Sequence, residues 1–153
     1  MKNRPRFAER VALVSALALF GFLFLDWFAA GDAGASGWDA LGWLALALCV
    51  LSVAAGIAVM AAFLLHESPV LPQFTAIGAT VIGLLTVLAL LIQVIAQPGP
   101  DEVVAVKSGW WLGFLAAAGV ARGGFLSMRD EFLPGTPMPD VPVRPAPPAA
   151  PVA

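Results

Sequence analysis

Apolar residues in this chain gather into four long runs separated by short polar or proline-containing breaks. The first run covers about 7–28, passes through Val11 to Phe20 and carries Asp26 next to Trp27 at its end. The second, about 40–65, contains no charge. The third follows Pro69 and Pro72 and reaches Gln97, where Pro98-Gly99-Pro100 stops a helix because proline lacks an amide donor and restricts the residue before it. The fourth, about 110–128, ends before Arg129-Asp130-Glu131 and is interrupted by Arg122. A bilayer core of roughly 30 Å takes about 20 residues at 1.5 Å rise each, with every backbone polar group satisfied inside its own helix. The runs therefore predict an all-α fold: an integral membrane four-helix bundle over 1–131, with spans at about 7–28, 40–65, 72–97 and 110–128.

Composition supports a chain made for lipid. Of 153 residues, 60% are hydrophobic and 12% charged, against roughly a quarter charged in soluble domains. The formal net charge of −2 offers nothing to nucleic acid. A single cysteine, Cys49, excludes an intramolecular disulfide and a cysteine-based metal cluster within one chain. Arginine outnumbers lysine and tyrosine is absent, the bias of a GC-rich bacterial genome.

Charge placement predicts orientation. Lys2, Arg4, Arg6 and Arg10 stand at the head of the first run, whereas the loops 29–39 and 99–108 together hold one basic residue, Lys107. Basic residues resist translocation, so both termini are expected in the cytoplasm and the protein in the plasma (inner) membrane. Trp27, Trp38, Trp43, Trp110 and Trp111 then fall at the outer interface, as an aromatic belt would. Gly31 to Gly37 has the composition of a flexible external turn. A cleaved leader, with Ala33-Gly34-Ala35 as its processing site, is the alternative for the first run. That run is longer than a usual leader core, and the site lies well beyond it. From Pro134 the chain is too proline-rich to fold and too poor in bulky residues to pack, so 132–153 is expected to be a disordered cytoplasmic tail in polyproline II conformations. Its P-x-x-P matches at Pro139 and Pro142 arise by chance in any such tail.

Helices in lipid associate through small residues that let backbones approach. Gly119 and Gly123 form a G-x-x-x-G pair in the fourth run, with Gly113 in a neighbouring row, and Ala79 and Gly83 share that spacing in the third. These are the expected packing positions, within one bundle or between copies or partners. Each external loop is also followed by Gly-Trp, at Gly37-Trp38 and Gly109-Trp110. This hints at two parallel hairpins, although a membrane boundary alone produces the same pattern.

The candidate polar positions are few. Arg122 sits inside a span, where a cation costs about 2.5–3.5 kcal/mol at the centre; it either snorkels toward headgroups or anionic lipid, or pairs with a carboxylate such as Glu67 or Glu9. Asp26, Gln93 and Gln97 lie at the outer ends of their spans, the two glutamines on one helix face. They either line an outward vestibule or make interfacial hydrogen bonds. Mid-span polarity is limited to Cys49, Ser52, Thr80 and Thr86, which argues against an ion-coupled pump. His66 beside Glu67 is too little for a metal site, and no catalytic motif is present. The sequence therefore predicts no catalytic residue, no metal and no cofactor.

The basic N-terminus, Phe24-Leu25-Asp26-Trp27-Phe28, the Gly-Trp entry and Gly109-Trp110-Trp111-Leu112-Gly113-Phe114 leading to Met128-Arg129-Asp130-Glu131 resemble small four-span membrane proteins of actinobacteria, with Asp26 standing where many of these carry proline. The resemblance implies a four-span fold over about 1–131 and transfers no functional residue. The expected function is a non-enzymatic accessory or scaffold subunit of an envelope process, with the bilayer and a second copy or another membrane protein as partners. The alternatives are a component of a small-molecule transporter or channel, and a lipid or stress sensor acting through Arg122.

Overall fold

A computed structural model describes residues 7–30, 33–65, 70–95 and 104–130. Its elements are α1 (Phe7–Phe22), β1 (Asp26–Ala30), β2 (Ala33–Ser36), α2 (Gly37–Ala40), α3 (Trp43–Leu65), α4 (Val70–Ile95), β3 (Val104–Val106) and α5 (Ser108–Asp130). The chain is mostly helical. Among the described residues, three helical segments, Trp43–Leu65, Leu71–Ile95 and Ser108–Arg129, are long and apolar enough to cross a membrane.

The ends of these helices refine the sequence reading. Val70, not position 72, opens α4. Pro72 is accommodated because a first-turn residue has no intrahelical acceptor for its missing amide proton. In the same turn the Thr75 hydroxyl donates to the Pro72 carbonyl at 2.9 Å. At its other end α4 stops at Ile95, so Gln97 and the Pro98-Gly99-Pro100 break lie outside the described residues, as does the tail.

The first run departs furthest from expectation. Its helix, 16 residues long, ends at Phe22, through tightened turns in which the Phe24 amide donates to the Gly21 carbonyl and the Leu25 amide to that of Phe22. Asp26 to Ala30 then run as a strand. β1 pairs antiparallel with β2 on one side and with β3 on the other, giving the sheet order β2-β1-β3. The mostly helical fold expected is found, with this small sheet added to it, and the flexible turn expected at 31–37 is corrected: positions 33–36 are a paired strand. Backbone groups at a membrane boundary must still find partners, and the sheet supplies them. The Lys107 amide extends the ladder onto the Trp27 carbonyl at 2.9 Å.

The long helices neighbour one another in a closed order, α1 against α3 and α5, and α4 against α3 and α5. The three strands described lie at one end, where α1 and α4 finish and α3 and α5 begin; this is the sheet end. Two clusters fill the interior. At the sheet end Leu19, Leu23, Trp27, Phe28, Leu41, Leu90 and Trp110 gather with Cys49 and several alanines. Further along, the cluster is Ala12, Ala16, Val59, Ala79 and Val120, without one large side chain. The long aliphatics instead point outward, among them Leu51, Ile57, Val81, Leu84, Leu88 and Ile92. Water-soluble proteins put such residues inside. Small-inside, large-outside is the arrangement expected where lipid is the solvent.

Candidate functional site

The side chains singled out in the sequence divide between the interior, the sheet end and the outer surface. The interior is closed by missing side chains. A β-carbon on Gly123 would stand 2.6 Å from the Ala12 amide nitrogen, and one on Gly83 2.7 Å from that of Ala121. On Gly56 it would lie 2.6 Å from the Ala16 β-carbon, and on Gly124 2.7 Å from the Ala76 carbonyl oxygen. Gly119 abuts the Ser15 hydroxyl, and Ala79 is fully buried. These contacts draw α1 onto α3 and α5, and α4 onto α5, until backbone touches side chain or backbone.

One polar pair crosses this interior. The Thr86 hydroxyl lies 2.8 Å from the Ile82 carbonyl of its own helix and 3.0 Å from the Leu48 carbonyl of α3. Its single proton goes to these acceptors, which leaves the fully buried Ser52 hydroxyl, 2.7 Å away, to donate to it. Both groups are consumed by the pair, which joins α3 to α4 and offers nothing to a passing solute.

The sheet end holds the residue that sequence reading placed wrongly. Trp27 is fully buried, and its indole N–H donates to the Phe22 carbonyl at 2.7 Å. Glycines surround the ring. A β-carbon on Gly37 would meet it at 3.0 Å and one on Gly109 at 2.8 Å, while Gly113 sits directly against its six-membered edge. Trp110 is also buried and stacks on Phe114 with centroids 5.3 Å apart. Two of the five tryptophans expected in an aromatic belt are therefore buried. All five tryptophans lie at the sheet end, but Trp27 and Trp110 are core, and Trp38, Trp43 and Trp111 face outward. The two Gly-Trp entries have a shared physical cause, since Gly37 and Gly109 both make room for Trp27. Gly113, expected to seat a helix, seats this ring instead.

Asp26 opens β1 as an exposed residue with its carboxylate packed over Gly34 of β2. Gln93 donates to the Ala40 carbonyl at 3.3 Å, tying α4 to the link before α3. Asp26 and Gln93 thus serve the sheet end as separate braces. An apolar recess of ≈ 390 Å³ lies over the hairpin between Phe28, Ala33, Asp39 and Ala40.

No protein-family model, curated protein or solved structure matches the chain. Its chemistry rests on its own residues. Among the described residues, no group of three or more His, Cys, Asp or Glu side chains is placed to hold a metal ion. Glu9 is buried with one carboxylate oxygen unpartnered, and no described residue forms an ion pair with Arg122. Glu67 lies outside the described residues. Arg122 is instead exposed on α5, in a recess of ≈ 510 Å³ between α4 and α5.

Proposed function

We propose that this chain is a non-enzymatic multi-pass protein of the bacterial plasma membrane, a four-span bundle with both termini in the cytoplasm, that serves as an accessory or scaffold subunit of an envelope process. The observation that carries the reading is the interior packing: four helices held at glycine and alanine contacts, whose one buried hydroxyl pair is self-satisfied. A transporter needs ionisable or solvating groups along a path through the helices, whereas among the described residues the middle of the interior holds only the Ser52–Thr86 pair, and the one buried carboxylate, Glu9, lies near the end away from the sheet. The broad apolar exterior, in turn, offers lipid or another membrane protein a large contact area.

In this reading α1 crosses the membrane although its helix is short. Sixteen residues at 1.5 Å rise reach about 24 Å, and the remaining depth is covered by the turn 23–25 and by β1, whose polar backbone is paired on both sides by β2 and β3.

The experiment is purification of the tagged chain in native-lipid nanodiscs, with and without residues 134–153, followed by mass measurement and identification of co-purifying proteins. A stoichiometric partner is expected, and its loss on truncation assigns the contact to the proline-rich segment. A chain that stays without a partner but conducts solute in proteoliposomes, with flux abolished by Gln93→Leu, contradicts the reading.

A further inference from the structure

We infer that the recess between α4 and α5 is a binding site for one anionic membrane phospholipid, its phosphate on Arg122 and an acyl chain along the groove. The recess arises from the packing already described. Gly83 brings α4 so close to Ala121 that the helix surfaces meet along their small residues. The larger Leu84 and Val87 of α4 and Phe125 of α5 stand up on either side as walls over Ala118 and Ala121. The resulting volume of ≈ 510 Å³ falls within the roughly 300–1,000 Å³ of small-molecule sites. Its lining is almost wholly apolar.

Two polar side chains interrupt that lining, Thr80 and Arg122. Thr80 has committed its proton to the Ala76 carbonyl at 2.8 Å. The guanidinium of Arg122 is left as the groove's free donor, with no acidic partner among the described residues. Arg129, the next cation along α5, is engaged differently, its guanidinium carbon 5.9 Å from the centre of the Phe125 ring. An unpaired cation on the outward flank of a segment apolar enough to span a membrane is stabilised by reaching the headgroup region or by an anion brought to it, and a guanidinium binds phosphate through paired N–H donors.

The direction of the groove fits a lipid. α4 and α5 run antiparallel, with Gly124 against Ala76 and Gly83 against Ala121, so Thr80 and Phe125 mark the mouth away from the sheet end and Val87 and Ala118 mark the inner part. Arg122 lies toward the mouth, about two turns before α5 ends. A phosphate held there lets its acyl chain continue inward past Leu84 to Val87, in the order in which a phospholipid presents its parts to the leaflet. A soluble phosphate would match the cation but leave the apolar walls unfilled.

The test is lipid retention by the full chain, read by native mass spectrometry after exchange between nanodiscs of phosphatidylglycerol and of phosphatidylcholine. Wild type is expected to retain phosphatidylglycerol about tenfold over phosphatidylcholine. Arg122→Gln is expected to lose that preference, and Arg122→Lys to recover part of it. Ala118→Phe fills the groove while keeping the cation, and is expected to lose retention as well. Arg129→Gln should leave it unchanged. Circular dichroism and monodisperse elution keep misfolded variants out of the comparison. Equal retention by Arg122→Gln and wild type overturns the site, and undiminished retention by Ala118→Phe overturns the seated acyl chain. Displacement of the lipid by glycerol phosphate alone shows that the site takes a free anion, and overturns the lipid assignment.

Discussion

The sheet end and the middle of the helix packing solve one problem in opposite ways. At the sheet end a single large ring, Trp27, fills the space, and glycines on α2 and α5 are hollowed around it. In the middle nothing large is present, and α1, α3, α4 and α5 meet through Ala12, Ala16, Gly56, Gly83, Gly123 and Gly124. The difference follows from what each region can pair with. Helices in lipid lack a hydrophobic force between them and gain by close contact over a long surface. Where helices give way to strands that surface is gone, and an aromatic side chain with one buried hydrogen bond anchors the connections to the helices below.

The comparison predicts opposite responses to volume. Trp27→Ala should be the most damaging change, by about 3–5 kcal/mol for an emptied aromatic site, measured by reversible unfolding in mixed micelles. Gly113→Ala sharpens the point. It should destabilise wild type, because its methyl meets the ring, yet be neutral or favourable in the Trp27→Ala background. Additive effects in that double-mutant cycle would show that glycine and ring are not coupled.

In the middle region removal of volume has little to act on, and addition is what harms. Gly123→Ala inserts a methyl against the Ala12 backbone and should cost about 1–3 kcal/mol, read in the same unfolding assay. A silent Gly123→Ala would mean that α1 and α5 do not approach as described. A smaller effect is expected from Thr86→Val, which keeps the shape but strips the Ser52 hydroxyl of its acceptor. Hydrogen bonds between membrane helices average about 0.6 kcal/mol and reach about 1.7, so the loss should fall in that range.

Much of the middle region was legible in the sequence, because lipid allows few solutions. An uninterrupted apolar run of about 20 residues bounded by proline or charge has to be helical, and α3 and α4 follow from that, while α5 keeps the same pattern around Arg122. Small residues at four-residue spacing in α4 and α5 mark faces that can approach closely. Ser52 and Thr86 were visible as isolated mid-span hydroxyls, but their pairing depends on the rotation of two helices, which spacing alone does not specify. The sheet end was poorly legible for a different reason. Its strands have three to five residues, too few for a periodic signal, and β1 pairs with β3 across about half of the chain. A tryptophan beside a span boundary looks the same in sequence whether it faces outward or fills the core, as Trp43 and Trp27 respectively do. Arg122 stood out by its charge, whereas its groove depends on which alanines face outward.

The short α1 carries the most weight in the account, since the four-span reading requires 16 helical residues and the turn beyond them to cross the bilayer. The direct measurement is labelling of single cysteines, in a Cys49→Ala background, by a membrane-impermeant maleimide in intact and permeabilised cells. Ser36→Cys, in β2 at the sheet end, is expected to label in intact cells, and Asn3→Cys, ahead of α1, only after permeabilisation. Labelling of both positions in intact cells, or of both only after permeabilisation, would place the two ends of α1 on one side of the membrane and contradict the four-span account.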